Sequence, residues 1–481
     1  MKYGLLILVL AGCSQIVKFE KECDVDSDCS SFLMCQDTLC VEPAPPPPAC
    51  RVLHGLSEET DFHNKSALRI GLMMPRNGEL EAEGDVMERV VGTLAFELNQ
   101  AGGVSGRKLV FISCDSSGTK DEVARRAMWL VGQAKVPVLI GPLDDAAAEK
   151  VFREVTKPMR ALHMAPQLRW TASDFESDDG LFWKLRSPEV SQLVAMAKVL
   201  DAKGYSKVAI LRPDDHEGIR LSKSFKTLYC GQSDCLDKPI LEMVYEAERE
   251  NRRAVFSVAD IDVAIGDFEP SVLLFFGDAE EFVTLADQDE ALASLSGRPI
   301  FGTHRLHDVM SLQMLNESRV QALADQLVGF RPSCLKEEAY REFSDWFTRR
   351  FPTSLSHLNA AAAFDSAFLV AYLYAAVEPQ DTVDGVSLSQ QLLRLTQGGE
   401  STQIRLASFG ETRDGLQSDS THTVDLLGAS GSLDFGDTYT TQSAVDAWYY
   451  DAASGQIKPF GEILSDNWDY QDDVLSELGS R

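Results

Sequence analysis

From residue 67 onward the sequence alternates between short apolar runs and amphipathic segments, and this alternation limits the fold more than any other feature. Residues 67–72 and 108–113 are apolar runs of the length of a buried strand. The segment between them carries apolar residues at the spacing of one helical face: Val86, Val90, Val91, Leu94 and Leu98. Repeated strand–helix units of this length predict a parallel sheet with helices on both faces.

The alternation runs twice along the chain. A third strand is predicted at 136–140, ending in Gly141-Pro142, and a fourth at 160–164. After a break near Ser187-Pro188 the pattern resumes with a helix and three strands, at 190–200, 207–211, 273–276 and 299–302. Two successive open α/β units predict two lobes, with a cleft lined by the carboxyl ends of their strands.

Six short segments within these units carry a more specific pattern. They are 99–109 (NQAGGVSGRKL), 138–142 (VLIGP), Phe182 with Arg186, 208–211 (VAIL) with Asp214 and Asp215, 362–367 (AAFDSA) and 431–435 (GSLDF). In this order they resemble motifs of the type I periplasmic binding proteins, in the branched-chain amino acid class that provides the substrate-binding subunits of ABC importers. The resemblance covers roughly residues 67–460. It implies two Rossmann-like lobes, lobe 1 from 67–187 plus 330–410 and lobe 2 from 188–329 plus 411–470.

The resemblance also implies a ligand-binding site in the cleft. In the family, four loops at strand ends hold the carboxylate and ammonium groups of the ligand. The matching candidates here are Asp144 and Asp145 in the first loop, Ala165 and Arg169 in the second, His216 in the third and Asp278 in the fourth. The competing interpretations are a helix cap for Asp145 and a surface position for Arg169 and His216.

The first and third of these loops depart from the family pattern. Leu143 is followed by Asp144 and Asp145, where family members often carry a serine. An aspartate at a helix start accepts hydrogen bonds from the free amides there and would repel a ligand carboxylate. His216 stands where the family commonly has an aromatic residue. We therefore expect a pocket that either suits a cationic or polyfunctional ligand, with the aspartates and Asp278 as acceptors, or has lost ligand binding.

The N-terminus has the layout of an export signal. Lys2 precedes an apolar run at 4–10, and small residues lie just before Cys13. The run is too short to span ~30 Å of hydrocarbon, which takes about 20 helical residues. Residues 10–13 (LAGC) resemble the lipobox of bacterial lipoproteins. This resemblance implies a signal peptide at 1–12, lipidation of Cys13, and a lipid-anchored position in the cell envelope on the periplasmic or cell-surface side.

Residues 13–50 form a small segment rich in cysteine and proline. Its cysteines after the lipobox include Cys23, Cys29, Cys35 and Cys40. In an exported chain these four predict two disulfides, with three possible pairings. Zinc is the alternative, but no histidine lies among them and their spacing is not that of paired CxxC motifs. The prolines at 43 and 45–48 predict a stiff, extended spacer.

The remaining cysteines are scattered. Cys230 and Cys235 are close enough to close one loop with a disulfide. Cys50, Cys114 and Cys334 have no pairing that the sequence indicates.

Composition excludes several classes of function. The chain has 45 basic and 74 acidic residues, a net charge of -29, which opposes binding to nucleic acid and tight adsorption to anionic lipid. It has no His-Glu-x-x-His, Gly-x-Ser-x-Gly or P-loop motif. The glycines at 102–106 precede a strand, whereas a dinucleotide-binding loop follows one. We therefore predict no enzyme activity, no cofactor and no metal site.

The sequence thus predicts a lipid-anchored solute-binding protein. It would capture an amino acid or a similar small polar molecule between its lobes and pass it to an ABC permease. Two alternatives stay open. One is a receptor-like sensor in which lobe closure signals to a partner. The other is a regulatory scaffold of the cell envelope that binds no ligand.

Overall fold

The computed structural model describes the protein over the following residues: 22–25, 28–30, 33–53, 66–78, 80–166, 179–185, 188–230, 235, 238–248, 253–255, 257–286, 297–313, 326–336, 338–351, 357–377, 383–435, 441, 444–451 and 453–463. The predicted signal peptide, Cys13, Arg169 and Arg186 lie outside these residues.

The strands and helices alternate as the sequence predicts. The strands are β1 (Met34–Gln36), β2 (Leu39–Val41), β3 (Cys50–Leu53), β4 (Leu68–Met74), β5 (Leu109–Asp115), β6 (Val138–Ile140), β7 (Leu162–Ala165), β8 (Phe182–Lys184), β9 (Val208–Pro213), β10 (Ile240–Glu248), β11 (Arg253–Val255), β12 (Val272–Phe275), β13 (Ile300–Gly302), β14 (Leu327–Pro332), β15 (Glu400–Gln403), β16 (Val424–Gly428), β17 (Gly431–Ser432), β18 (Val445–Asp451) and β19 (Gln456–Ile463).

The helices connect these strands and cover the sheets. They are α1 (Glu81–Gln100), α2 (Lys120–Gly132), α3 (Asp145–Val151), α4 (Pro188–Lys203), α5 (His216–Cys230), α6 (Val258–Phe268), α7 (Ala279–Ala286), α8 (Val309–Gln313), α9 (Glu338–Arg350), α10 (His357–Ala376), α11 (Gly385–Ser389), α12 (Leu392–Thr396) and α13 (Leu406–Ser418). A π-helical turn, Phe152–Thr156, continues α3. Within the described residues no helix has the length and apolar character needed to cross a membrane.

Two largely parallel sheets confirm the predicted α/β architecture. Lobe 1 contains a six-stranded sheet in the order β3-β5-β4-β6-β7-β8. Lobe 2 contains an eight-stranded sheet in the order β11-β10-β9-β12-β13-β14-β18-β19. A separate three-stranded sheet, β15-β16-β17, accompanies lobe 1.

The lobe boundary near the C-terminal end differs from the expected one. Residues 411–435 were expected in lobe 2, but Leu416, Leu426 and Phe435 belong to the buried core of lobe 1, together with α1 and α10. The chain then crosses to lobe 2, where β18 and β19 complete the eight-stranded sheet. The physical reason is burial, because these apolar side chains find their partners on the helices of lobe 1.

The N-terminal cysteines form the two predicted disulfides. Cys23 bonds to Cys35 on β1 and Cys29 bonds to Cys40 on β2, so each disulfide joins one strand of the hairpin to the segment that precedes it. Cys230 and Cys235 form the predicted local disulfide. Cys50 pairs with Cys114, and Cys334 is a buried thiol outside these disulfides.

The proline-rich segment packs against lobe 1 and does not project as a free spacer. The amide of Ala44 donates to Oε1 of Gln133 at 3.0 Å, and Nε1 of Trp129 donates to the carbonyl of Ala44 at 3.1 Å. Both partners lie on α2 or directly after it. The extended backbone of a proline-rich chain leaves its carbonyls available as acceptors, and α2 uses one of them.

The 99–109 segment shows why its residues form a tight helix-to-strand turn. Gly102, Gly103 and Gly106 all have positive φ, and a Cβ on Gly103 would lie 2.1 Å from the carbonyl oxygen of Arg107. Nδ2 of Asn99 donates to the carbonyl of Leu109, and the amide of Leu109 donates back to Oδ1, both at 2.8 Å. The asparagine therefore joins the last turn of α1 to the first residue of β5.

Glu242 on β10 is a carboxylate of lobe 2 that accepts hydrogen bonds from several basic and hydroxyl side chains. Burial raises the pKa of this carboxyl, but hydrogen bonds from Lys226, Arg212 and Ser222 outweigh burial and lower the pKa to about 2. Because the native pKa lies below the unfolded value near 4.5, the stabilisation is present above pH 4.5 and is lost as the pH falls towards 2.

We expect Glu242→Gln to lower the free energy of unfolding by about 2 kcal/mol at pH 7 and by much less at pH 2.5. Urea denaturation at both pH values measures this difference. Glu246→Gln, an exposed position on the same strand, is the matched control. An equal loss at both pH values would contradict the proposed role of the charge.

Candidate functional site

The large sheet of each lobe has one place where the order of the strands reverses. In lobe 1, β4 lies between β5 and β6, and in lobe 2, β9 lies between β10 and β12. In open parallel sheets, ligands bind outside the carboxyl ends of the strands at such a reversal. The candidate site is therefore formed by the loops after β4 and β6 in lobe 1 and by the loops after β9 and β12 in lobe 2.

The chain crossings place both carboxyl edges on the side where the lobes are joined. The first crossing leaves the carboxyl end of β8 at Lys184 and continues into α4, and the second leaves the carboxyl end of β14 at Pro332 and continues into α9. On the third crossing, the amide of Thr441 donates to the carbonyl of Lys184 at 3.0 Å. Since β4, β6, β7 and β8 run parallel, as do β9, β12, β13 and β14, the two reversal points lie on this same side.

The loop after β6 carries Asp144 and Asp145. Gly141 has φ of 83°, forms a cis peptide bond with Pro142, and lies so near β4 that a Cβ would be 2.3 Å from the carbonyl oxygen of Met73. Asp144 then caps α3, because its Oδ1 accepts from the amide of Ala147 at 2.8 Å. The cap occupies a helix amide that a ligand carboxylate would otherwise use.

The second and third predicted loops contribute less to the described site. Ala165 ends β7 next to the reversal point, but its side chain is fully buried in a cluster with Phe152 and Phe182. Its carbonyl accepts from the amide of Leu185 at 3.0 Å. His216 is the first residue of α5, at the carboxyl end of β9, and its side chain lies outside what the structure describes.

Asp278 belongs to a compact acidic cluster after β12. Its Oδ1 accepts from the amide of Glu281 at 2.9 Å, and its own amide donates to Oε2 of Glu281 at 2.9 Å, so the two residues cap α7 reciprocally. The hydroxyl of Tyr245 donates to the same Oε2 at 2.8 Å. Nη2 of Arg305 lies 3.9 Å from the other oxygen of Asp278.

The cluster is strongly desolvated. Burial, and next the nearby charge of Asp278, raise the pKa of the Glu281 carboxyl above its usual range. Burial and the charge of Glu281 likewise raise the pKa of Tyr245. A Cβ on Gly277 would lie 2.2 Å from the tyrosine oxygen, so the glycine allows this close packing. The cluster can accept a further hydrogen bond or a positive charge at the partly exposed carboxylate of Asp278.

The loop after β13 contains residues that were not among the predicted site residues. The amide of His304 donates to Oε1 of Gln192 at 2.7 Å, and Nδ1 lies 3.1 Å from Nε2 of the same side chain. Arg305 follows, and its Nη1 donates to the carbonyl of Phe276 at 3.3 Å. The sequence did indicate the position of this loop, because a strand was expected at 299–302 and the residues that follow it had to lie at the carboxyl edge.

A second charged group lies further along this edge of lobe 2. Nη1 of Arg331 lies 2.7 Å from Nε2 of His307, and its Nε lies 3.3 Å from the buried carboxylate of Asp446. Burial, and next the charge of Arg331, lower the pKa of His307 to about 4. This histidine is therefore neutral at pH 7, which leaves Nε2 able to accept from the guanidinium.

The described residues contain one group of potential metal ligands, Cys23, Cys29 and Cys40. All three sulfurs belong to disulfides. A disulfide sulfur is not a thiolate, so this group does not have the chemistry of a zinc site.

Comparisons with known proteins agree with this fold. A sequence model of the periplasmic binding protein family matches residues 67–229. A comparison with curated proteins finds no match.

Three solved structures share the fold at low sequence identity. An ABC transporter substrate-binding protein from Sphaerobacter thermophilus is 17% identical, with 82% of this chain and 98% of that chain covered and a TM-score of 0.52. The branched-chain amino acid transporter substrate binding protein LivJ from Streptococcus pneumoniae, in complex with isoleucine, is 16% identical, with 83% and 99% covered and a TM-score of 0.50. A solute binding protein of an ABC transporter from Rhodopseudomonas palustris, in complex with 3,4-dihydroxy benzoic acid, is 16% identical, with 83% and 97% covered and a TM-score of 0.52. The resemblance found in the sequence is confirmed: this chain has the type I periplasmic binding protein fold, and its residues 67–229 carry the sequence signature of the periplasmic binding protein family.

Proposed function

We propose that this chain is an exported, lipid-anchored solute-binding protein that closes its two lobes around a small polar solute and delivers it to an ABC permease. The observation that carries the proposal is the arrangement of the two sheets, whose chain-order reversals lie at carboxyl edges on the side where the lobes are joined. The disulfides are consistent with an oxidising compartment.

The ligand class follows from the charges at these edges. The solved relatives in complex with isoleucine and with 3,4-dihydroxy benzoic acid hold ligands that carry a carboxylate. In this chain Asp144 occupies the amide of Ala147, and Asp278 stands beside buried Glu281. An anion at either place would be repelled by a carboxylate, whereas a cation would be attracted to it. We therefore propose a cationic or polyfunctional ligand, with Asp144, Asp145 and Asp278 as acceptors.

One observation favours the scaffold alternative. Asp144, Asp278 and Glu281 each already have a hydrogen-bond partner within the chain. A site whose polar groups satisfy one another has less to gain from a ligand than one with unsatisfied groups. A thermal-shift screen separates this alternative from solute binding, because no small molecule would raise the melting temperature of a scaffold that binds no ligand.

A thermal-shift screen tests the proposal. We expect spermidine, arginine or a short basic peptide to raise the melting temperature, and isoleucine and 3,4-dihydroxybenzoate to leave it unchanged. A ligand at 100 times its Kd adds ~2.7 kcal/mol to the free energy of unfolding. Asp278→Asn should weaken binding about tenfold, while Asp384→Asn, a capping aspartate at the opposite end of the lobe 1 sheet, should leave it unaltered. A shift with isoleucine alone would contradict the cationic ligand class.

A further inference from the structure

The N-terminal segment joins lobe 1 at the carboxyl edge of its sheet. We call this the ligand edge, because it carries the candidate site. We call residues 42–53 the neck. Its strand β3 pairs antiparallel with β5, and Cys50 is opposite Cys114, to which it is also bonded by a disulfide. Because the two strands are antiparallel, the first residue of β3 lies beside the last residues of β5. The neck therefore reaches the lobe 1 sheet at its carboxyl edge, the edge that carries the candidate site.

A buried carboxylate connects the neck to α1. Glu88 is 3% exposed and accepts from Nη2 of Arg76 at 2.7 Å and from Nε of the neck residue Arg51 at 3.1 Å. Burial raises the pKa of Glu88, but the hydrogen bonds from Arg76 and Arg51 outweigh it, and the net pKa is below the usual value. The carboxylate is therefore charged at pH 7 and holds two guanidinium groups, one in the neck and one in the loop after β4.

Arg76 also bonds to the main chain of the neck. Its Nη1 donates to the carbonyl of Ala49 at 2.7 Å, and the amide of Asp115 donates to the same carbonyl at 2.9 Å. The amide of Arg76 donates to Oδ1 of Asp115 and to Oγ of Ser117, both at 3.0 Å. One neck carbonyl thus joins the loop after β4 to the last residue of β5.

We propose that the neck is a brace for the ligand edge of lobe 1 and that Arg76 is the positioning residue through which it acts. The guanidinium points towards Ala49 and Glu88, so Arg76 sets the path of the loop at 75–78 and does not itself serve as a ligand group. The brace consists of contacts within the chain, and only its effect on a bound ligand rests on the proposed function.

The physical consequence of losing the brace is local. Without the neck carbonyl, one N–H of Arg76 and the amide of Asp115 lose their acceptor, and an unsatisfied polar group is unfavourable while it stays buried. The loops can recover this loss by opening to water. We therefore expect faster opening of 75–78 and 115–118, with lobe 2 unaffected.

Hydrogen exchange on the full chain, followed by mass spectrometry, tests the brace. The variants are Cys50→Ser/Cys114→Ser, Arg76→Met and Arg76→Lys, with Cys230→Ser/Cys235→Ser as a matched disulfide control in lobe 2. We expect the amides of 76–78 and 115–118 to exchange at least tenfold faster in the first two variants. Arg76→Lys, which keeps the charge, should show a smaller increase. Residues 276–279 and 303–308 should change less than twofold.

Two results would overturn the brace. One is unchanged exchange at 76–78 in Arg76→Met, and the other is an equal increase in both lobes, which would indicate general destabilisation. The Arg76 variants keep the test decisive if the disulfide variant does not fold.

Titration with spermidine adds a readout at the ligand edge. We expect Arg76→Met to weaken spermidine binding at least threefold. Binding that this variant leaves unaltered would overturn the positioning role. Faster local exchange together with no binding of any solute by the wild type would support the brace and contradict the proposed function, so the two failures are distinguishable.

Discussion

Asp365→Ala should lower the free energy of unfolding by about 4 kcal/mol at pH 7. Asp365 lies on α10, is fully buried, and accepts three hydrogen bonds from the turn between β16 and β17. Its oxygens lie 2.8 Å from the amide of Ala429, 2.7 Å from the amide of Ser430 and 2.5 Å from the hydroxyl of Ser430. The alanine variant leaves two buried amides without an acceptor, at about 1–3 kcal/mol each, and adds a cavity.

Urea denaturation followed by circular dichroism measures this loss. The matched control is Asp434→Ala, since Asp434 is exposed and accepts from the hydroxyl of Ser432, two residues away, at 2.6 Å. An exposed change of this kind should stay within about 0.5 kcal/mol of the wild type. A loss for Asp365→Ala no larger than that of the control would show that the three hydrogen bonds contribute little.

The pH dependence of an Asp365→Asn variant gives a second view of the same residue. Burial raises the pKa of Asp365 to about 6, although hydrogen bonds from Ser430 and Ala429 act in the opposite direction. A native pKa above the unfolded value of 3.8 adds stability that is complete below pH 3.8 and is lost as the pH rises through 6. Asparagine does not titrate, so its destabilisation should be about 1.4 kcal/mol greater at pH 5 than at pH 7. An equal or smaller loss at pH 5 would contradict a raised pKa.

Asp365 also explains why the lobe boundary could not be predicted. The sequence places it in a helix and places residues 431–435 in a hairpin, and both patterns are local. The contact between them joins residues 64 and 65 positions apart and draws the hairpin into lobe 1. Periodicity reports neighbours along the chain, and it contains no information on which lobe a later hairpin joins.

The difference between local contacts, which the sequence indicates, and long-range contacts, which it does not, also applies to the candidate site. The sequence predicted a helix cap in this loop but assigned it to Asp145, whereas the residue that caps α3 is Asp144. Its partner, Ala147, is three residues away, so the existence of the cap was visible locally although its position was wrong by one residue. The pairing of Cys50 with Cys114 spans 64 residues, and the contact of Gln192 with His304 spans 112. The first contact joins neighbouring antiparallel strands and the second joins α4 to the turn after β13, so both depend on how elements far apart in sequence are arranged in space. The strands themselves were visible in the sequence, but the order in which they lie side by side was not.

Gly329→Ala should lower the free energy of unfolding by about 3–5 kcal/mol, although it adds a single methyl group. Gly329 lies on β14 directly opposite Trp448 on β18, and the indole covers it. A Cβ at this position would lie 1.9 Å from both Cε2 and Cζ2 of the ring. Trp448 is 1% exposed and also contacts the ring of His307 edge-on, with centroids 5.2 Å apart. The indole is therefore enclosed, and any displacement of it must also shift the side chains around it.

The cost depends on how far the indole is displaced. Overpacking of a buried site usually costs about 1–3 kcal/mol, and loss of the packing of a buried tryptophan costs about 3–5 kcal/mol. Gly266→Ala is the matched control, because Gly266 lies on α6 with open space around its Cβ position. An alanine there should be neutral or stabilise by up to about 1 kcal/mol.

Urea denaturation of a double-mutant cycle with Trp448→Leu separates the clash from other causes. If the indole is the obstacle, Gly329→Ala should cost at least 2 kcal/mol less in the Trp448→Leu background than in the wild type. Equal costs in the two backgrounds would show that the alanine is opposed by the strand backbone and not by the ring. That result would remove the reason for a glycine at this position in the strand that carries the second crossing between the lobes.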